Sequence, residues 1–262
     1  MRKAVCLIAV LTIGFCSSRC IGLIVGGVKA AKQKARYDSM MSKNSEARGH
    51  FDAGLKYQKE KNHNEALAEF KKAVAVDQKF TMAYYNMGVN CLILKSYDVA
   101  VQYLREAVGQ EKDFSEAQML IGHCYYQKKQ YNKAIEELTK AIDIDGNEGS
   151  QYLARAMSCM FTGDWDKVKK DLYNANSISR IPHFCSGGPR GTVPEWWLGL
   201  GLYSWGKDKD KKEALKCFDY AFSKGYRDFD KLYDEKEYGR LLIGLNDTPE
   251  FNELVQRYRT GK

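Results

Sequence analysis

The residues of this 262-residue chain best equipped for chemistry are four histidines, His50, His63, His123 and His183, and eight cysteines. A protein metal site needs ligands converging on one point, which on a single helix face means spacings of three or four residues. No histidine has a second histidine or a cysteine at such a spacing, and the adjacent His123 and Cys124 point apart. His183 and Cys185 resemble a base and a thiol nucleophile, but the Gly-rich stretch Ser186–Gly191 around them offers no third group to orient the base. Gly187-Gly188-Pro189-Arg190-Gly191 lacks the Lys-Ser/Thr ending that lets a glycine loop cradle phosphates. The reading is therefore non-catalytic, with no cofactor and no metal.

Cys91, Cys124 and Cys159 fall at apolar helical positions, where a free thiol acts as a small hydrophobe, and Cys217 sits beside Phe218. No Cys-x-x-Cys occurs, and the five cysteines from Cys91 onward are an odd number, which points to a reducing compartment. The formal net charge is +8, from 41 basic and 33 acidic residues. Three of the bases, Arg2, Lys3 and Arg19, lie in the first 28 residues; in the rest of the chain bases and acids alternate, as in Lys56–Lys72 and Lys207–Lys216. No basic stripe with interleaved aromatics is present, so nucleic acid is not an expected partner.

What positions all these residues is helix. Pro is scarce, with four in the chain, while Ala, Lys, Leu and Glu abound. A fixed period then organises the sequence. Gly54, Gly88, Gly122 and Ala156 are spaced by 34 residues, as are Ala66, Ala100, Ala134 and Val168. The columns Phe70, Leu104, Leu138, Leu172 and Ala73, Ala107, Ala141, Ala175 keep the same interval. Within each unit the apolar positions form two blocks at helical spacing, separated by a polar turn such as Glu60-Lys61-Asn62-His63-Asn64. A small residue on the first helix is expected to face a small residue on the second, giving a close antiparallel hairpin. One hairpin cannot bury its own faces, so the units must stack.

These columns resemble the tetratricopeptide repeat, a 34-residue helix–turn–helix unit. The first unit carries Gly54, Tyr57, Ala66, Phe70 and Ala73; the second Tyr84, Gly88, Ala100, Leu104 and Ala107; the third Gly122, Tyr125, Ala134, Leu138 and Ala141. The unit-closing Pro common in the family is replaced by Gln78, Lys112, Gly146 and Arg180. The resemblance implies an all-α solenoid: four repeats over 47–180, a Gly/Pro-containing loop at 181–193, a fifth unit at 194–225 and a helical C-terminal cap at 226–262. Two cap helices are expected in Tyr226–Tyr258, the second opening at Pro249 behind Asp247 or Thr248.

In such arrays the first helix of each unit lines a concave groove. By register the groove positions are Arg48, Phe51, Leu55 and Gln58; Met82, Tyr85, Asn86 and Val89; Glu116, Met119, His123 and Tyr126; and Ser150, Leu153, Met157 and Met160. Chaperone-binding members of the family clamp a carboxylate with Lys, Asn and Arg; here Asn86 alone matches, while Phe51, Leu55, Glu116 and Leu120 stand at the others. A groove lined by Met and aromatic residues suits an apolar helix or extended peptide instead.

Residues 1–28 join a basic start to an apolar run from Ala4, the pattern of a signal peptide or, over Ala4–Val28, of a membrane anchor. Cys16 before Ser17-Ser18 also resembles an acylated lipoprotein cysteine, although Phe15 stands where that motif wants a small residue. Residues 29–46 read as a polar, basic spacer. The expected protein is a scaffold that binds a protein or peptide partner in its groove, associated with a membrane or exported to the cell envelope. The alternative is a structural subunit of an envelope assembly, acting by homo-oligomerisation or through its convex face.

Overall fold

The computed structural model describes residues 34–179 and 194–260. The described residues contain no β-strand, and their helices pair into five antiparallel hairpins. These are α1 (Ser45–Lys59) with α2 (His63–Val76), α3 (Thr81–Ile93) with α4 (Tyr97–Gln110), and α5 (Ser115–Gln127) with α6 (Tyr131–Ile144). They continue as α7 (Gly149–Thr162) with α8 (Trp165–Ser179) and α9 (Pro194–Gly206) with α10 (Lys211–Ser223), and α11 (Pro249–Thr260) closes the chain. Consecutive helices pack on one another, α9 also meets α7, and α11 rests on α10. The fold is an α-solenoid.

The periodic columns are the buried seam. Ala66, Ala100 and Ala134, Phe70, Leu104 and Leu138, and Ala73, Ala107 and Ala141 are all fully inaccessible. The glycine column, however, does not meet small residues side chain to side chain. A Cβ on Gly54 would stand 2.6 Å from Phe70, one on Gly88 2.5 Å from Leu104 and one on Gly122 2.6 Å from Leu138. The missing side chain on the first helix is a socket for the large residue of the second, and the small partner contributes backbone: Ala100 and Ala134 carbonyls lie 3.4 and 3.3 Å from the same positions.

The turns inside the hairpins repeat as well. Lys61, Lys95 and Lys129 are left-handed (φ 63°, 59° and 60°), and Gly163 takes the same column in the fourth unit. This conformation ends each first helix with a bond from the residue after the turn back into it: Asn62 N–H to Tyr57 O, Ser96 to Cys91, Gln130 to Tyr125 and Asp164 to Cys159, at 2.8–3.1 Å. Asn44 caps α1, its Oδ1 accepting from Glu46 and Ala47 N–H, and Asp210 caps α10 through Glu213 N–H.

Two segments depart from the expectation. Residues 29–46 are not simply a spacer: 34–40 is helical, Met40 belongs to the core of the first units, and the Ser42 hydroxyl donates to Asp77. In the cap only α11 is an α-helix, and it does open at Pro249. Before it come two single 3₁₀ turns, Phe229–Leu232 and Tyr238–Leu241. Gly225 and Gly244, at φ 107° and 83°, break the backbone on either side of them, and a Cβ at Gly239 would strike the Tyr233–Asp234 backbone. No side-chain stripe long enough for a helix survives between those glycines.

Candidate functional site

The first helices of successive units, α1, α3, α5 and α7, carry the register-predicted groove positions, and the structure sorts them into three stretches. In the first, Arg48 is exposed and its Nε donates to the Ser42 carbonyl, and Leu55 is 38% exposed. Phe51 is not a groove residue: it is 1% exposed, with ring centroids 5.5 Å from Phe70 and 4.7 Å from Phe80, in the core cluster that also holds Met40. Asn86 is buried too, its Nδ2 donating to the Met82 carbonyl at 2.8 Å, so its side chain serves its own helix.

Met82 and Tyr85 are brought together, but under a lid made by the chain itself. Arg36 of the 34–40 helix donates from Nη1 to Asp113 O (2.8 Å) and from Nη2 to Glu116 Oε1 (2.8 Å) and Oε2 (3.0 Å). Its guanidinium also lies 5.8 Å from the Phe114 centroid, and Phe114 packs on Tyr85 at 4.9 Å. Between Tyr37, Met40, Met82, Tyr85 and Phe114 a cavity of about 160 Å³ remains. Burial raises the Tyr85 phenol's pKa, helped by the charges of Glu116 and Glu148.

At the other end the cap covers the groove. Tyr126 O–H and Tyr238 O–H are 3.2 Å apart, and Tyr126 sits edge-on to Tyr131 and Phe161. Tyr131 and Phe161 stack at 4.4 Å, with the Arg240 guanidinium 4.7 Å from the Phe161 centroid, and Arg240 donates to Phe161 O. Burial drives the Tyr126 phenol's pKa far up and pushes Tyr238 to about 12. His123 lies beside this contact, and burial, then the charge of Lys231, lowers its pKa. Met157 is nearly inaccessible in the C-terminal core.

Between the two covered ends Val89, Met119 and Leu153 are half-buried, and the Ser150 hydroxyl lies 3.7 Å from Met119 Sδ. These are the register-predicted positions that neither end covers. The sequence reading missed Arg36, Phe114, Tyr238 and Arg240. One signal was available, since Phe80 and Phe114 share a 34-residue column just ahead of α3 and α5.

Among the described residues, no group of three or more His, Cys, Asp or Glu is placed to hold a metal. Cys124, Cys159 and Cys217 are buried thiols raised to about 12 by desolvation, the opposite of an activated nucleophile. His183 and Cys185 lie outside the described residues, as do Cys16 and the whole of residues 1–28. No helix among the described residues is long and apolar enough to cross a membrane.

Two family models, each described as tetratricopeptide repeat, match residues 51–115 and 92–157. The DnaJ homolog subfamily C member 7 of Mus musculus is 23% identical over 147 residues, covering 53% of this chain and 29% of that protein. The chain spans less than a third of the length of the curated relatives it matches. Among solved structures, MamA 41-end from Desulfovibrio magneticus RS-1 superposes with a TM-score of 0.59 at 16% identity, covering 70% of this chain and 97% of that one. YrrB, described as a TPR protein with an unusual peptide-binding site, gives 0.51 at 16% identity, covering 67% and 84%. These likenesses concern the fold.

Proposed function

We propose that this chain, a tetratricopeptide-repeat protein, is a non-catalytic scaffold that holds a segment of a partner protein in its concave groove. The observation that carries this reading is the half-buried stripe of Val89, Met119 and Leu153, left open between two ends that the chain covers itself. Met119 and Leu153 share one 34-residue column on successive first helices, with Val89 one turn on from that column in the unit before, which suits a helix or extended peptide read at several points. The peptide-binding site of YrrB is in keeping with this use of the fold. Met119→Glu and Leu153→Glu, each with an unchanged circular dichroism spectrum, are expected to abolish co-purification of a cross-linked partner. Undiminished capture by both variants overturns the groove assignment.

By analogy with signal and anchor segments, residues 1–28 direct the scaffold to a membrane or to the cell envelope in this proposal. Fractionation with protease protection tests both the attachment and the face. A second reading, a subunit of an envelope assembly, draws on Tyr173 and Ile243, large apolar side chains 72% and 66% exposed. Light scattering that finds a stable oligomer, lost in Tyr173→Ser, favours it.

A further inference from the structure

Resting on the scaffold reading, we propose that the N-terminal end of the groove is a guanidinium pocket for an arginine-bearing helix of the partner. The helix it fits carries an apolar residue one turn after the arginine, and residues 34–40 are its resident placeholder. The placeholder displays the chemistry. Arg36 uses both terminal nitrogens, one on the Asp113 carbonyl and one on the Glu116 carboxylate, while its guanidinium carbon lies 5.8 Å from the Phe114 ring centroid. A carbonyl, a carboxylate and an aromatic face arranged around one planar fork select arginine; a lysine ammonium is a point charge and cannot meet all three. Four residues on, Met40 is buried in the core of the first units, the spacing at which two side chains share one helix face.

The field agrees with the geometry. Glu116 and Glu148 both act on Tyr85 in the pocket wall, and Ser115 Oγ donates to Glu116 Oε2 at 3.2 Å, holding the carboxylate in place. The pocket is thus opposite in sign to the Lys- and Arg-built carboxylate clamp of the family's chaperone-binding members, which this chain lacks.

The placeholder also fits imperfectly. Arg36 Nε is buried with no partner, Tyr37 stands 43% exposed, and the cavity of about 160 Å³ beside Met82 and Tyr85 is unfilled. A partner helix whose own arginine also pairs its Nε, and which fills the cavity, displaces the placeholder.

The test uses the full chain and a fluorescent peptide copying residues 29–42. The Arg36→Ala chain, whose placeholder is disarmed, is expected to bind this peptide at least tenfold more tightly than the unaltered chain. The same peptide with Arg36→Glu is expected to show no binding. In the Arg36→Ala/Glu116→Arg chain the preference reverses, the Glu peptide now binding and the Arg peptide not. Circular dichroism melts confirm that each chain is folded. Equal binding of the two peptides, or absence of binding to a folded Arg36→Ala chain, overturns the pocket. Partner capture that survives Glu116→Arg but is lost in Met119→Glu also overturns the pocket and leaves the scaffold reading standing; loss of neither retires both.

Discussion

Replacing Gly88 by Ala tests the socket packing most directly, because helix propensity and packing predict opposite signs. In an exposed helix interior, Gly to Ala stabilises by about 0.5–1 kcal/mol. Gly109, in the last turn of α4, has nothing within 4 Å of its Cβ position, and Gly109→Ala is expected to show a gain of the same sign, smaller at a helix end. At Gly88 the new methyl would lie 2.5 Å from Leu104 Cγ and 2.7 Å from Cδ2, about an ångström inside van der Waals contact. Leu104 is fully buried, so the two helices must part or the leucine must leave its rotamer, an overpacking cost of about 1–3 kcal/mol. Taken at the middle of those ranges the net loss is about 1 kcal/mol, opposite in sign to Gly109→Ala. Leu104→Ala alone costs about 2–5 kcal/mol by leaving a cavity. In the Gly88→Ala/Leu104→Ala chain the added methyl enters the vacated space, so the losses fall short of additivity by about 1–2 kcal/mol. Urea unfolding followed by circular dichroism measures all four stabilities. A neutral or stabilising Gly88→Ala, or strict additivity in the cycle, refutes the socket.

The other expectations concern separate features. Lys95→Gly relieves a left-handed lysine and should stabilise by about 0.5–1 kcal/mol in the same assay, the steric relief of about 1–2 kcal/mol being partly offset by chain entropy. Asp171 is fully buried and takes both Nε and Nη2 of Arg155 at 2.8 Å; Asp171→Ala strands that guanidinium and should cost about 3–5 kcal/mol. His123 has its pKa depressed below the ordinary 6.5, so below that value the unfolded chain takes up a proton that the folded chain refuses. Stability should therefore fall as pH drops below 6.5, and His123→Gln should flatten that slope in melts across pH 5 to 8. Cys124, Cys159 and Cys217 should resist iodoacetamide at pH 8 until denaturant is added, as read by peptide mass mapping.

The solenoid was legible because its causes are local and repeated: the columns of Gly54, Ala66, Phe70 and Ala73 recur at one interval and are the buried seam. The pairing across that seam was misread, since composition shows that Gly88 is small but not which side chain fills its place. Left-handed lysines were invisible, because nothing about Lys61 or Lys95 favours positive φ; the demand comes from the turn's hydrogen bond. Register found the first helices but could not tell groove from core at Phe51, whose ring packs on Phe70 of α2 and on Phe80 just ahead of α3. The covering of both groove ends rests on pairs 80 and 112 residues apart, and periodicity carries no information about contacts of that range.

Those two long pairs have a consequence for how the chain assembles. A stack of hairpins ordinarily folds by nearest-neighbour contacts and frays freely at its ends. Here Arg36 and Tyr238 both return to the 13-residue helix α5, one to Glu116 near its start and the other to Tyr126 near its finish. Closing such distant loops comes at an entropic cost that short-range stacking does not incur, and it slows folding. The hairpins should therefore zip up first and the two tails buckle onto α5 last, making the middle helix the place where the molecule registers that both of its ends are folded.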